Sequence, residues 1–272
     1  MKISRRSFIL SGFVFILGVF LMNSLWFEKF LIEKRFFFLG AAKKNSYKLK
    51  FIQVSDLHLN HLNSVHKRLA KNLNKEHPDL ILITGDAIDK AQNLDLLEKF
   101  LQLIDINIKK VAILGNWEYW GDVNIKDLKT LYQRNNCELL VNDSKQYEFD
   151  GYKVSITGID DYIGGTADYE LAIKNYIKSD YHIVLTHCPQ HRDIIQKLSQ
   201  DLEIDLVLSG HTHGGQINLF GFIPFKPQGS GRYLKGWYKE SKPHLYVSKG
   251  IGTSILPLRF RARAEIGIFH YS

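Results

Sequence analysis

The chain has 272 residues, 45% of them hydrophobic, a net charge of +8 and two cysteines. That length and composition suit a globular protein with a full core and exclude a disordered or low-complexity chain, while Cys137 and Cys188 form neither a disulfide framework nor a Cys-x-x-Cys metal signature. The charge is uneven, +7 over residues 1–48, −6 over 49–225 and +8 over 226–263, so the acidic middle argues against nucleic acid as a partner and the basic ends suit anionic headgroups or a phosphorylated substrate.

In chain order, Ser7 to Phe27 carries no charge. As a helix it would span about 30 Å, one hydrocarbon core. The preceding Ser4-Arg5-Arg6-Ser7-Phe8-Ile9-Leu10 resembles a twin-arginine export signal. The best small-residue cleavage site, Gly40-Ala41-Ala42, is weak, so an uncleaved anchor is expected. Residues 1–48 therefore read as a membrane anchor or twin-arginine-like signal with a juxtamembrane segment, and residues 49–272 as one globular domain. The expected location is the cell membrane. The twin-arginine reading puts the domain outside the cytoplasm; Lys and Arg on both sides of the span leave the face open. Phe30-Leu31-Ile32 and Phe36-Phe37-Phe38, interleaved with charges, read as an interfacial segment or as a helix packed on the domain.

From Leu49 the pattern alternates. Strands are expected at Leu49–Ser55, Asp79–Thr84, Lys110–Leu114, Tyr181–Thr186, Asp205–Ser209, Leu245–Ser248 and Glu265–Tyr271, with two or three short ones within Leu139–Gly158. Helices are expected at Val65–Lys75, Leu94–Ile104, Asp122–Asn135, Glu170–Lys178 and Gln190–Ser199. This alternation predicts an α/β domain.

Polar residues break these strands at one shared position. Asp56 and His58 follow the first, Asp86 the second and Asn116 the third; His187 follows a later strand, and His211 and His213 the strand at Asp205–Ser209. Each has an ordinary explanation: a helix cap for the aspartates, a turn for Asn116, a core position for His187. Ligands of α/β sheets gather at the carboxyl ends of strands, and seven oxygen and nitrogen donors there point to a metal site.

Together Asp56-Leu57-His58, Gly85-Asp86, Gly115-Asn116, Thr186-His187 and Gly210-His211-Thr212-His213 resemble the motifs of the calcineurin-like metallophosphoesterases. The resemblance covers residues 49 to 271. Gly214-Gly215-Gln216 and Gly250-Ile251-Gly252-Thr253, with Pro257 and Arg259, look like its membrane-associated bacterial branch. The resemblance implies a four-layer α-β-β-α sandwich of two sheets between helices. It implies two divalent metal ions (Mn, Fe or Zn), one held by Asp56, His58 and His213, the other by Asn116, His187 and His211, with Asp86 between them. The implied chemistry is hydrolysis of phosphodiester or pyrophosphate bonds by a hydroxide that the metals activate.

The chain departs from the family pattern at Trp117, where most members carry a histidine that assists the leaving group. An indole gives up no proton in that role, and such help is typically worth about 10²–10⁴-fold. A good leaving group would need little protonation; His61 and His191 are the candidate substitutes. Two further readings remain open: a UDP-2,3-diacylglucosamine-type lipid pyrophosphohydrolase at the membrane, and a catalytically idle metal-bound scaffold protein. The aromatic and basic stretch from Phe220 to Lys239 reads as a substrate rim or a folded hairpin. Arg232 and Arg259 are the candidate substrate contacts, with Arg259, Arg261 and Arg263 expected on one strand face. A phosphorylated small molecule or a lipid-linked substrate is the expected partner.

Overall fold

The computed structural model describes residues 4–40, 48–199 and 201–272. The cleavage candidate Gly40-Ala41-Ala42 runs into residues outside that set.

Helix α1 (Arg5–Met22) is apolar on all sides, so no face distinguishes core from solvent, and nearly all of it is exposed. It continues through a wider turn at Asn23–Phe27 into the single turn α2 (Glu28–Phe30). Together Arg5–Phe30 is long and apolar enough to cross a membrane. Its end is tied to the rest of the chain: the Glu28 carboxylate accepts from Ala262 N–H (2.8 Å), and the Ser24 carbonyl from Arg259 N–H (3.0 Å).

Strand β1 (Glu33–Leu39) follows. It covers Phe36-Phe37-Phe38, the second part of the segment expected to be interfacial or helical, and it pairs parallel with the last strand of the chain, Phe37 opposite Phe269. The sheet thus begins before residue 49, the expected start of the domain. Alternation explains the strand: Phe37 and Leu39 pack into the core while Phe36 and Phe38 face out. Three consecutive phenylalanines hide that period in the sequence.

The remaining elements alternate as expected. They run β2 (Leu49–Val54), α3 (Ser64–Glu76), β3 (Leu80–Thr84), α4 (Leu94–Leu101), β4 (Lys109–Ile113), α5 (Asn116–Trp120), α6 (Ile125–Arg134), β5 (Cys137–Leu139), β6 (Asp143–Phe149) and β7 (Tyr152–Gly158). Then come α7 (Tyr169–Ala172), β8 (Tyr181–Leu185), α8 (Arg192–Leu198), β9 (Leu206–Ser209), β10 (Gly236–Tyr238), β11 (Leu245–Val247) and β12 (Glu265–Tyr271). Only one turn of the helix expected at Glu170–Lys178 forms. Carbonyls that would extend it go to side chains of the neighbouring strands: Ser144 Oγ donates to Ala172 O, Gln146 Nε2 to Lys178 O and Ser155 Oγ to Ile177 O.

Two six-stranded mixed sheets result, in the orders β1-β12-β2-β3-β4-β5 and β10-β11-β9-β8-β7-β6. They face each other across a core of Phe51, Leu80, Leu82, Val111 and Ile113 from one sheet, and Ile156, Ile183, Leu185, Leu206 and Leu208 from the other. The alternate residues Ile52, Val54, Ile81 and Ile83 point to the outer layer of α3, α4 and α6, and Val184 and Val207 to that of α7 and α8. The layers are therefore helix, sheet, sheet, helix. Both faces of the central strands are buried, which is why they read as continuous apolar runs.

Candidate metal centre

Strands β2, β3 and β4 run parallel in one sheet, and β8 and β9 run parallel in the other. The polar residues that follow these five strands meet at one edge of the sandwich. The turns are tight. Asp56, His58, Asp86, His211 and His213 all adopt left-handed backbone, with φ of 51°, 45°, 52°, 71° and 49°. For residues other than glycine each such conformation costs about 1–2 kcal/mol, and strain of this kind collects at functional sites. Gly210 must be glycine, because a β-carbon there would collide with Ser55 Oγ and the Asp56 carboxylate.

Two buried groups form. Asp56, His58 and His213 each place one donor atom within 4.8 Å of the others, and so do Asp86, His187 and His211. Asp86 stands between them: its Oδ2 is 3.0 Å from His187 Nε2 and 3.6 Å from His58 Nε2. Asp56 Oδ1 lies 3.6 Å from His213 Nε2 and accepts the His211 backbone N–H at 3.0 Å. At this centre, among the described residues, two buried polar atoms lack a hydrogen-bond partner: Asn116 Oδ1, and His187 Nε2 beside Asp86. Buried polar atoms are rarely left unsatisfied. A carboxylate, amide and imidazole donor set with such orphaned lone pairs fits divalent cations.

Protein acceptors hold three of the four rings. His58 Nδ1–H donates to Asp89 Oδ1 (2.5 Å), His187 Nδ1–H to the Thr84 carbonyl (2.8 Å) and His211 Nε2–H to the Gln228 carbonyl (2.6 Å). Each bond sets the tautomer and leaves the other nitrogen bare toward the centre. His213 differs: its Nδ1 accepts from the buried Arg259 guanidinium at 3.2 Å. That places a proton on His213 Nε2, 3.1 Å from the bare Nε2 of His58. A cation bound there would take the place of that proton. Burial and the neighbouring His58 hold the His213 pKa well below its ordinary value, which keeps the ring from taking up a second proton. Burial alone would raise the pKa of Asp86, but His187 and His58 outweigh it and hold it at about 2, as a carboxylate.

The sequence reading missed Glu118. Its carboxylate is buried and accepts backbone N–H groups from Gly115 (2.8 Å), Asp86 (3.1 Å) and Ala87 (2.6 Å). It therefore clamps the β3 and β4 loops together. Burial, and then the Asp86 charge, push its pKa up to about 7. Its place at the third position of α5 after Gly115, a capping-box spacing, was the available signal. Asp89 was missed for another reason: nothing in Asp86-Ala87-Ile88-Asp89 marks the second aspartate as facing His58.

Residues 49–215 match the family described as calcineurin-like phosphoesterase. The chain belongs to that family. It is 34% identical over 228 residues, 81% of its length and 78% of the relative's, to the uncharacterized metallophosphoesterase YkuE of Bacillus subtilis. It is 31% identical over 232 residues to YkoQ of the same organism, covering 82% of this chain and 83% of that one. It is 27% identical over 256 residues to the phosphodiesterase YaeI of Escherichia coli, covering 89% and 87%. The chain is thus a metallophosphoesterase with two buried His/Asp groups suited to a pair of metals.

Within this metallophosphoesterase, the remaining expected residues scatter. Trp117 is half-buried at the centre, its ring edge-on to His58 with centroids 5.8 Å apart, and its backbone N–H donates to Asp86 Oδ1 (2.9 Å). His61 is exposed, accepts from Asn63 Nδ2 (2.9 Å) and lines the same cavity as His58. His191 lies elsewhere, buried against Tyr162 with Nδ1 3.3 Å from Thr186 Oγ1. Arg232 is exposed and pairs with Glu240 at 3.1 Å. Arg259, expected to touch substrate, is fully buried instead. It donates to the carbonyls of Gly252, Lys249 and Ala262 as well as to His213. It shares no strand face with Arg261 and Arg263, because residues 261–264 form no strand and both of those side chains are exposed. The aromatic stretch divides: Trp237 packs on the inter-sheet core, while Phe220, Phe222 and Phe225 stand exposed.

Proposed function

We propose that this chain is a membrane-anchored phosphoesterase that hydrolyses a phosphodiester or pyrophosphate bond at a dinuclear centre. The observation that carries the reading is the convergence of Asp56, His58, His213 and Asp86, His187, His211 as two buried groups beside the orphaned Asn116 Oδ1. Asp56, His58 and His213 would hold one ion, Asn116, His187 and His211 the other, and Asp86 both. When bound, the ions would acidify water and neutralise charge on the phosphoryl oxygens.

The chain's own groups supply the rest. Asp89, Thr84 and Gln228 aim the imidazoles, and Glu118 holds the two loops that carry Asp86 and Asn116. Trp117 walls one side of the centre but gives no proton, which favours a leaving group that departs unaided. A diester with an acidic alcohol or a pyrophosphate meets that condition. The relative named a phosphodiesterase supports the same reading. A second reading, a lipid-linked nucleotide pyrophosphohydrolase, is favoured by the apolar helix Arg5–Phe30, whose end meets the Arg259–Ala264 segment.

The test uses the full chain in detergent, loaded in turn with Mn²⁺, Zn²⁺ and Fe²⁺. Hydrolysis of an aryl phosphodiester or a nucleotide-diphosphate lipid, exceeding that of an aryl phosphomonoester, is expected. Bound metal with no turnover of any of the three would replace the enzyme by the idle scaffold.

A further inference from the structure

Two cavities reach the metal centre from opposite sides of the Ser254-Ile255 turn. One, of about 440 Å³, has mixed walls, with the polar His58, Asn60, His61 and Asn63 beside Phe30 and Leu57. The other, of about 300 Å³, is apolar: Ile217, Pro224, Phe225, Ile255 and Leu256 line it, and its floor is His213. Both therefore end at the same metal-binding group, since His58 Nε2 and His213 Nε2 are 3.1 Å apart. A ligand with one polar and one apolar half, joined by a phosphoryl group, fits that layout.

The outer wall of the apolar cavity is uncovered. Ile255 is 69% exposed, and Phe225 and Leu256 of the same lining are exposed too, as are Phe220 and Phe222 a few residues before Phe225. Large apolar side chains left uncovered beside a cavity mark an interaction site. This surface is continuous with the anchor helix. Phe260 packs at a tilt against Phe20 of α1 (4.6 Å between centroids) and neighbours Phe220 (6.4 Å). Lys29, near the end of the Arg5–Phe30 helix, donates to the Pro257 carbonyl. Basic groups ring the patch: Arg261 lies over the Phe220 ring at 4.7 Å, and Lys226 and Arg263 are exposed. Apolar tips with cations behind them suit the acyl and headgroup levels of an anionic bilayer.

We propose that the apolar cavity beside His213 is an acyl-chain site, open to the bilayer, so that the centre acts on an amphiphilic phosphodiester or pyrophosphate drawn from the membrane. This rests on the phosphoesterase reading above and names its substrate class. The chain enters between the 217–225 and 254–258 loops; the polar half of the ligand occupies the cavity on the His58 side.

Two measurements on the full chain test it. The first compares aryl alkyl phosphodiesters with butyl and octyl chains, each below its micelle concentration, in the metal-loaded protein. The aryl leaving group is constant, so kcat/KM should rise at least tenfold with chain length, and Ile255→Arg should remove most of that rise. Each methylene buried from water is worth up to about fourfold. Turnover that is flat with chain length would overturn the acyl site and leave the phosphoesterase reading standing. No turnover at all would remove the phosphoesterase reading, and the second measurement then decides the site alone. Nanodiscs of phosphatidylglycerol bearing a diazirine on one acyl chain are irradiated, and crosslinks are mapped by peptide mass spectrometry. Crosslinks within 215–227 and 254–258 are expected. Crosslinks confined to residues 5–30, or protein–protein crosslinks through Phe220 and Phe222 from a second copy, would overturn the proposal.

Discussion

Seven histidines are buried, and they divide into two sets that differ in their partners rather than in depth. His58, His187, His211 and His213 each hold one ring nitrogen in a protein hydrogen bond and turn the other to a shared centre with two aspartates. His66, His182 and His191 lie outside that centre, and burial, joined at His66 by the neighbouring His61, lowers each to a pKa of about 4, with no carboxylate in hydrogen-bond contact. The second set contributes packing and local hydrogen bonds, such as His182 Nε2 to Thr157 Oγ1 at 2.8 Å. The contrast teaches that a buried imidazole becomes a ligand only where its neighbours are other donors and its tautomer is set from outside.

The strongest way to break the comparison is Asp86→Ala. Removing the carboxylate that stands between the two groups should lower turnover on the order of 10³-fold or more and reduce bound metal below two ions per chain. Mass spectrometry of metal content together with an aryl diester assay checks it; near-normal values in both would mean that Asp86 does not join the two groups.

A smaller effect is expected for Asp89→Ala, which frees His58 Nδ1. Loss of such a supporting bond typically costs about 10–100-fold in metal affinity or activity. The matching change behind a core histidine, Thr157→Val beside His182, should lower the melting temperature without altering metal affinity. Equal effects on metal binding from the two variants would erase the distinction between the sets.

The core set also makes a pH prediction. The folded pKa values of His66, His182 and His191 lie below that of a free imidazole, so the unfolded chain binds protons that the folded chain does not. Their contribution to stability is full above about pH 6.5 and is lost as the pH falls toward 4, on the order of 3 kcal/mol at most for each. Urea midpoints measured between pH 7.5 and 5 should therefore decline, and His182→Gln should flatten the slope. A slope unchanged by that substitution would assign the acid sensitivity to other groups.

The smallest expected effect is at Trp117→His. Restoring a proton donor should raise the rate on poor alkyl leaving groups by about tenfold, within the usual range of acid catalysis, and change aryl diesters little. An equal change in both would show that Trp117 acts through the shape of the site rather than through its missing proton.

Much of the architecture was legible because strand and helix periods differ. The apolar runs at Leu80–Thr84 and Leu206–Ser209, each closed by a polar residue, placed both the strands and the donors that follow them. Strand β1 was not legible, since its pairing partner lies more than two hundred residues away at Glu265–Tyr271. Asp89, Glu118 and Arg259 were not recognised as supports of the centre, because their contacts cross between loops and no local period records them. Arg259 shows the cost of reading side chains one at a time: a basic residue near a phosphate site suggests substrate contact, yet this one spends its donors on carbonyls and on His213.

The sequence by itself determined the alternation of strands and helices, the apolar segment at Ser7–Phe27 and the seven donors at strand ends, because each rests on local pattern and residue chemistry. Only the tertiary structure decided that six of those donors form two groups with Asp86 between them, that Asp56, His58, Asp86, His211 and His213 bend through left-handed backbone, and that a cavity of mixed walls and an apolar one meet at one of the groups. These features depend on how the two sheets set separate loops against one another. Distances between loops arise from packing across the sandwich, which no single stretch of the chain encodes.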